Sequence, residues 1–188
     1  GIGFSTAALF AKMKANVAIN YLNDDEDSIK RIKKLSNMYP NVSSFPGDIS
    51  IEETSKKIIE SIEEKYDGLN FLVNNVGIGL VKDPIPFEDL NEIDDQFWNK
   101  ILKVNLMSAF YCSKAASEIL KKNKGSIVNV TSISSNGKRG TSIPYSVSKG
   151  ALKTLTSSLA KALAPDVRVN AVSPGFTKTN MTNQRSEK

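Results

Sequence analysis

A tyrosine and a lysine four residues apart are the most chemically capable pair in this 188-residue sequence. Tyr145 and Lys149 stand at the start of a helical period, and side chains at i and i+4 share one face of a helix. Ser132 ends an apolar, strand-like run upstream, so we expect its hydroxyl at the top of a sheet, near the start of that helix. Asn105 lies inside an apolar helical stripe, where a buried amide needs hydrogen-bond partners.

The composition restricts the other kinds of chemistry. The chain has no histidine, which excludes Ser-His-Asp and Cys-His catalysis and zinc sites of the HExxH type. One cysteine, Cys112, can neither close an internal disulfide nor supply a thiolate metal cluster, and it suits a reducing compartment. We therefore expect no metal and a cytoplasmic protein. Proton chemistry falls to tyrosine, lysine, cysteine or a carboxylate.

Membrane and nucleic-acid partners are not expected. The sequence has no apolar run of about 18 residues and no signal-peptide pattern at its start. The net charge of +5 raises a nucleic-acid interpretation, but the basic residues are dispersed and interrupted by acids. The densest basic cluster, 121–124, precedes a glycine and is typical of a helix C-terminus, where cations interact favourably with the helix dipole.

Short β-branched runs alternate with longer helical stripes along the chain. The runs are apolar without strict alternation, which is typical of strands buried on both faces, and they cover residues 16–21, 42–46, 69–74, 126–132 and 167–173. Helical periods occupy 5–14, 54–62, 96–121 and 145–163. This alternation predicts βαβ units with right-handed crossovers, hence an α/β fold with a parallel sheet.

Two glycine motifs stand where such a fold binds ligands. Residues 1–3, Gly-Ile-Gly, precede a helical stretch, and the segment 74–77, Asn-Asn-Val-Gly, follows a buried run. In open α/β sheets, ligands bind at the carboxyl ends of the strands and at helix N-termini. Taken alone, a flexible terminus and a plain turn explain these motifs as well or better.

In order along the chain, these residues resemble the short-chain dehydrogenase/reductase family. The resemblance covers nearly the whole chain and rests on residues 1–3, 47–49, 74–77 and 104–106, on Ser132, on Tyr145 with Lys149, on residues 168–175 and on Thr179. It implies one Rossmann-like domain, 1–188, with a doubly wound parallel sheet in three αβα layers. It also implies that this domain is incomplete at both ends, without the family's first strand and C-terminal lid.

The resemblance implies a role for each of the four residues singled out first. Tyr145 would donate a proton to a substrate carbonyl, or accept one from an alcohol, while a nicotinamide exchanges hydride with the carbon. Lys149 would stabilise the phenolate, since a nearby ammonium favours an anion, and would hold the nicotinamide ribose. Ser132 would orient the carbonyl oxygen, and Asn105 would position a water that passes protons to Lys149.

Cofactor contacts are likewise implied by position. They would come from the glycine loop, the strand ends and the segment after the last strand: Gly1, Ile2, Gly3, Tyr21, Asp48, Ile49, Asn74, Gly77, Lys149, Pro174, Gly175, Phe176, Thr177 and Thr179. NAD-selective members carry an acid at the end of the strand that corresponds to 16–21, where it binds both ribose hydroxyls. Here Tyr21 stands there instead, so NADP(H) is favoured over NAD(H).

The resemblance leans slightly toward 3-oxoacyl-[acyl-carrier-protein] reductases and glucose-dehydrogenase-like members, so the substrate would be a small-molecule or acyl-carrier carbonyl. The alternative is a catalytically silent nucleotide-binding or regulatory member of the family. A homodimer or homotetramer is expected through the helices that contain Asn105 and Tyr145. Without its first strand, the domain should show a gap between runs 16–21 and 69–74, and residues 1–188 alone should bind NADP(H) weakly and catalyse little.

Overall fold

The structure, a computed structural model, describes residues 1–79, 88–138 and 140–177. Strands and helices alternate through these ranges. The strands are β1 Val17–Tyr21, β2 Val42–Pro46, β3 Phe71–Asn74, β4 Ser126–Val130 and β5 Arg168–Val172. The helices are α1 Ile2–Lys12, α2 Glu26–Met38, α3 Glu52–Tyr66, α4 Asp95–Leu102, α5 Ser108–Ala115, α6 Ser117–Lys122 and α7 Ile143–Leu163.

The strands form two parallel sheets. One sheet has the order β1-β2, and the other has the order β3-β4-β5, with every pairing parallel. The α/β class and the parallel pairing are therefore confirmed. No ladder joins β1 to β3 among the described residues, which confirms the gap expected between runs 16–21 and 69–74.

Helices cover both faces of this arrangement, as side-chain alternation in β1 demonstrates. Val17 and Ile19 pack with α1 and α2 around Ala11 and Leu35. Ala18, between them in the strand, packs on the opposite side against the larger core, which α3, α6 and the end of α7 build over β4 and β5. The result is the expected three-layer αβα order.

The prediction of one continuous helix over 96–121 was wrong. The segment is divided into α4, a π-helical turn Lys103–Met107, α5 and α6, with a turn at Ala116. A π-helical turn inserts one extra residue into the hydrogen-bond ladder, which the spacing of apolar residues does not reveal. The basic cluster behaves as predicted, since α6 ends at Lys122 with two lysines in its last turn.

Other predicted bounds differ by a few residues. The first helix begins at Ile2 and not at residue 5, and β4 ends at Val130, two residues before Ser132. Ser132 instead caps a short 3-10 helix, Ile133–Asn136. Within the described ranges, no helix is both long enough and apolar enough to cross a lipid bilayer.

Candidate active site

A cleft of about 1210 Å³ opens between the two sheets and extends over the carboxyl ends of the strands. Most of the residues predicted from separate parts of the sequence line it: Gly1, Ile2, Gly3, Tyr21, Asp48, Ile49, Asn74, Gly77, Ser132, Tyr145, Lys149, Pro174, Gly175 and Thr177. Asn105 and Phe176 are not among the lining residues: Asn105 is fully buried, and Phe176 is 72% exposed. Thr179 lies outside the described residues. The parallel order of the strands explains the meeting, because their carboxyl ends lie at one edge.

Helix α7 brings Tyr145 and Lys149 together. Ser142 caps this helix by accepting a hydrogen bond from Tyr145 N at 3.2 Å, and Pro144 stands in the first turn, so the helix start is well defined. Lys149 Nζ lies 5.9 Å from the centroid of the Tyr145 ring. The two side chains therefore share one helix face, as their spacing predicted.

Lys149 is almost fully buried, with 4% of its surface exposed. Its Nζ donates to the backbone oxygen of Val130 at 2.9 Å, at the end of β4. Burial disfavours the charged ammonium and lowers the pKa of Lys149 to about 8. The site thus holds an amine that loses its proton much more readily than an exposed lysine, beside a phenol.

Asn105 lies in the π-helical turn and is fully buried. Its Oδ1 accepts from Ile78 N at 2.7 Å, while its Nδ2 donates to Ile78 O at 2.9 Å and to Ser148 Oγ at 3.0 Å. The partners that a buried amide requires are therefore present. They tie the loop after β3 to helix α7, directly behind Gly77.

Ser132 lines the cleft with a hydroxyl whose proton is free to be donated to a ligand. Its Oγ accepts from Ser134 N at 3.2 Å, and among the described residues no acceptor takes its own O–H. The neighbouring Ile133 N donates to Pro174 O at 3.1 Å, which joins the segment after β4 to the segment after β5. Both segments line the cleft, so this bond sets their spacing.

The N-terminus of α1 faces the same cleft without a capping side chain. Gly1 is its N-cap residue and makes no side-chain cap hydrogen bond, and Gly1, Ile2 and Gly3 all line the cleft. The first amides of a helix lack intrahelical partners and sit at the positive end of the dipole. This end of α1 therefore suits the diphosphate of a dinucleotide.

Gly77 and Gly175 differ in the space around them. A Cβ atom on Gly77 would lie 3.1 Å from Lys149 Nζ and 3.3 Å from Asn105 Oδ1, closer than ordinary contacts. At Gly175 nothing lies within 4 Å of such an atom. Gly77 is thus required for packing against the two polar groups, whereas Gly175 leaves open room at the mouth of the cleft.

Asp48 follows β2, and its surroundings favour the ionised carboxylate. Burial opposes ionisation, but hydrogen bonds from Ser50 and the charges of Lys100 and Lys103 outweigh it, so the pKa of Asp48 is lowered. Ser50 N donates to Asp48 Oδ1 at 2.9 Å. The second carboxylate oxygen is an acceptor at the cleft.

A buried polar chain behind the cleft was missed by sequence reasoning. Asn74 Nδ2 donates to Asn129 Oδ1 at 2.8 Å and to Ser113 Oγ at 3.1 Å. Asn129 Nδ2 donates onward to Thr156 Oγ1 at 2.9 Å, on α7. Asn74 is one of the cofactor contacts that the resemblance implies, but its amide nitrogen is engaged in holding β3, β4, α5 and α7 together. The signal in the sequence that could have indicated this chain is Asn129, a polar residue within an apolar run.

At the end of β1 no carboxylate occupies the strand terminus. Asn20 Nδ2 donates to Phe45 O at 3.0 Å and to Gly47 O at 2.9 Å, which closes the β1-β2 edge. Two acids at the start of α2, Asp25 and Asp27, also line the cleft. Asp25 caps that helix, and its hydrogen bonds with Ser28 lower the pKa of its carboxyl. Asp27 pairs with Arg31 at 3.0 Å.

Parallel strands whose carboxyl ends line one cleft, with helices on both faces, define a Rossmann-like α/β protein. The comparison with family models agrees with this class. The model described as enoyl-(acyl carrier protein) reductase matches residues 1–188. The chain belongs to the short-chain dehydrogenase/reductase family, a family of oxidoreductases, as the ordered motifs predicted.

Individual relatives cover almost all of the chain. One relative is a Streptomyces violaceoruber protein that carries the provisional name ketoacyl reductase 2 of the granaticin polyketide synthase. The chain is 34% identical to it over 183 residues, which are 97% of this chain and 71% of that protein. It is 31% identical over 192 residues to glucose 1-dehydrogenase 2 of Bacillus subtilis, across 100% of this chain and 72% of the relative. The solved structure of ElxO with NADP bound is 33% identical, with a TM-score of 0.85, and covers 98% of this chain and 73% of that one.

Proposed function

We propose that the protein is an NADP(H)-dependent oxidoreductase that interconverts a carbonyl and an alcohol, with Tyr145 as proton donor and acceptor. The observation that carries the proposal is the buried Lys149 amine beside the Tyr145 ring, in a cleft that also contains the Ser132 hydroxyl. A bound nicotinamide supplies or accepts the hydride. All other groups that the reaction requires come from this chain.

Each residue has a role that its contacts support. The Ser132 O–H donates to the substrate oxygen, since its Oγ accepts a hydrogen bond from Ser134 N and finds no acceptor for its own proton among the described residues. Tyr145 transfers its phenolic proton to that oxygen in reduction and takes it back in oxidation. Lys149, held by Val130 O at 2.9 Å, stabilises the phenolate and exchanges protons near neutral pH. Asn105 holds a water on the side of Lys149.

The cofactor would lie along the row of strand ends. The uncapped first turn of α1 would bind the diphosphate, Asp48 the adenine amino group, and residues 174–177 the carboxamide of the nicotinamide. NADP(H) is preferred over NAD(H) because Tyr21, and no acid, ends β1, and because Asp25 is engaged in capping α2. The NADP bound to the related ElxO is consistent with this preference.

The substrate class follows from the relatives and remains broad. The similarity to a polyketide ketoacyl reductase and to a glucose dehydrogenase supports a small or acyl-carrier-bound carbonyl, possibilities that differ mainly in size. The open space beside Gly175, which lines the cleft, is consistent with either kind of substrate. We place the protein in the cytoplasm because its single cysteine, Cys112, is a buried thiol whose pKa is raised by that burial.

The protein is further proposed to form a homodimer or homotetramer. The helices that carry Asn105 and Tyr145 would provide the contact. Val147, one turn into α7, is 47% exposed, and Phe110 and Tyr111 on α5 are half-buried. A second copy of the chain would cover these apolar surfaces.

Oxidation of NADPH by the complete gene product with a panel of ketones and 3-oxoacyl thioesters tests the function. Tyr145→Phe removes the phenolic proton and should lower kcat by about 10²–10⁴-fold with NADPH binding retained, as for the loss of a general acid. Tyr39→Phe, the same change at a half-buried tyrosine that does not line the cleft, is the matched control and should turn over like the wild type. NADPH binding without turnover of any substrate would instead support the silent, nucleotide-binding alternative.

A further inference from the structure

Ser148 directly precedes Lys149 and is fully buried in helix α7. Its Oγ donates to Tyr145 O at 2.7 Å, within the helix, and accepts from Asn105 Nδ2 at 3.0 Å. The first bond is a local one that many helical serines make. The second joins α7 to the π-helical turn, an element more than forty residues earlier in the chain.

The Asn105 amide group has few other partners. Its nitrogen carries two protons, and these go to Ile78 O and to Ser148 Oγ. Without the Ser148 hydroxyl, one buried proton would lose its acceptor, which is costly in a site closed to water. The Ser148 hydroxyl therefore accepts one of the two hydrogen bonds that hold the Asn105 amide nitrogen in place.

The oxygen end of the same amide lies beside Gly77, which lines the cleft. Asn105 Oδ1 uses one lone pair for Ile78 N at 2.7 Å, and no other donor to it is found among the described residues. A Cβ atom placed on Gly77 would lie 3.3 Å from this oxygen and 3.1 Å from Lys149 Nζ. Asn105 Oδ1 and the lysine amine thus border the same small space, and the amide orientation determines whether an acceptor is present there.

We propose that Ser148 is a positioning residue of the reaction, whose hydroxyl holds the Asn105 amide so that its oxygen faces the space beside Lys149. The inference rests on the proposed function and adds a residue to it. Ser148 is not among the residues that line the cleft, and its bond to Tyr145 O is a local backbone contact within α7, so we expect it to act through Asn105. Its loss should lower kcat and leave the KM for NADPH nearly unchanged.

The test compares two variants of the complete gene product that differ only in the hydroxyl. Ser148→Thr and Ser148→Val have side chains of nearly equal volume, so any cost of the added methyl groups is shared by both. The kcat of the threonine variant should exceed that of the valine variant by about threefold to tenfold, the range expected for one net hydrogen bond. Ser146→Ala is the matched control, because among the described residues Ser146 Oγ bonds only Ser142 O, at the N-cap of the same helix.

A second comparison separates positioning from general destabilisation. In the Asn105→Ala background, the threonine and valine variants should have equal kcat, since the amide on which Ser148 acts is gone. An unchanged kcat ratio in that background would overturn the proposal, as would equal kcat of the two variants in the wild-type background.

If the wild type turns over no substrate, the proposed function fails while the positioning role is still tested. Exchange of the Asn105 side-chain amide protons, followed by nitrogen-15 NMR, should then be slow in the threonine variant and at least tenfold faster in the valine variant. Equal exchange rates would overturn the role of Ser148 by themselves.

Discussion

Replacing Lys149 by methionine should stabilise the fold while it removes the proposed activity. Burial lowers the pKa of this lysine from its ordinary value of 10.5 to about 8. At about 1.4 kcal/mol for each pKa unit, the charged amine costs the folded state about 3 kcal/mol at pH 7. Methionine has a similar length and no charge to desolvate, so the substitution removes this cost.

One loss partly offsets the gain. Lys149 Nζ donates to Val130 O at 2.9 Å, and methionine leaves that buried oxygen without this donor, at a cost of about 1 kcal/mol. The net gain at pH 7 is then about 2 kcal/mol in the free energy of unfolding. For a protein of this size, that corresponds to a rise in Tm of about 4–8 °C.

The pH dependence of the gain identifies its cause. Between about pH 8 and pH 10.5 the unfolded chain binds the lysine proton and the folded chain does not, so the stability of the wild type rises with pH in this window. The difference between Lys149→Met and wild type should therefore be largest below pH 8 and shrink toward pH 10.5.

Urea unfolding followed by circular dichroism at pH 7, 9 and 10 measures this difference. Lys153→Met is the control, because Lys153 lies one turn further along α7 with its amine bonded to Asn136 at the surface, and its removal should change stability by no more than about 0.5 kcal/mol. A Lys149→Met variant less stable than wild type at pH 7 would refute the reasoning. So would a stability gain that is the same at pH 7 and pH 10.

Two further predictions concern the glycines and the assembly. Gly77→Ala should lower the free energy of unfolding by about 1–2 kcal/mol, since its Cβ would press on Lys149 Nζ and Asn105 Oδ1. Gly175→Ala has open space and should change it by less than about 0.5 kcal/mol; equal effects in urea unfolding would contradict the packing at Gly77. Multi-angle light scattering of the complete gene product should give a dimer or tetramer, and the charge-introducing Val147→Glu should shift it toward monomer. A strict monomer for the wild type would refute the assembly proposal.

Much of the architecture was accessible from the sequence alone. β2 was predicted at its observed bounds, and the other strands were found to within two residues at each end, because an apolar β-branched run is a local property. The pairing of Tyr145 with Lys149 on one helix face followed from the helical repeat. The ordered motifs also indicate the family, because they follow one another along the chain itself.

Tertiary structure decided the rest, because the remaining features depend on partners distant in the chain. The sequence showed that Asn105 needed partners, but only the fold supplied Ile78 and Ser148. The chain Asn74–Asn129–Thr156 arises because two strands and a helix meet in one buried layer. The low pKa of Lys149 likewise arises because several elements together exclude water from its amine. Such burial depends on how the whole chain packs, and a local pattern of residues does not reveal it.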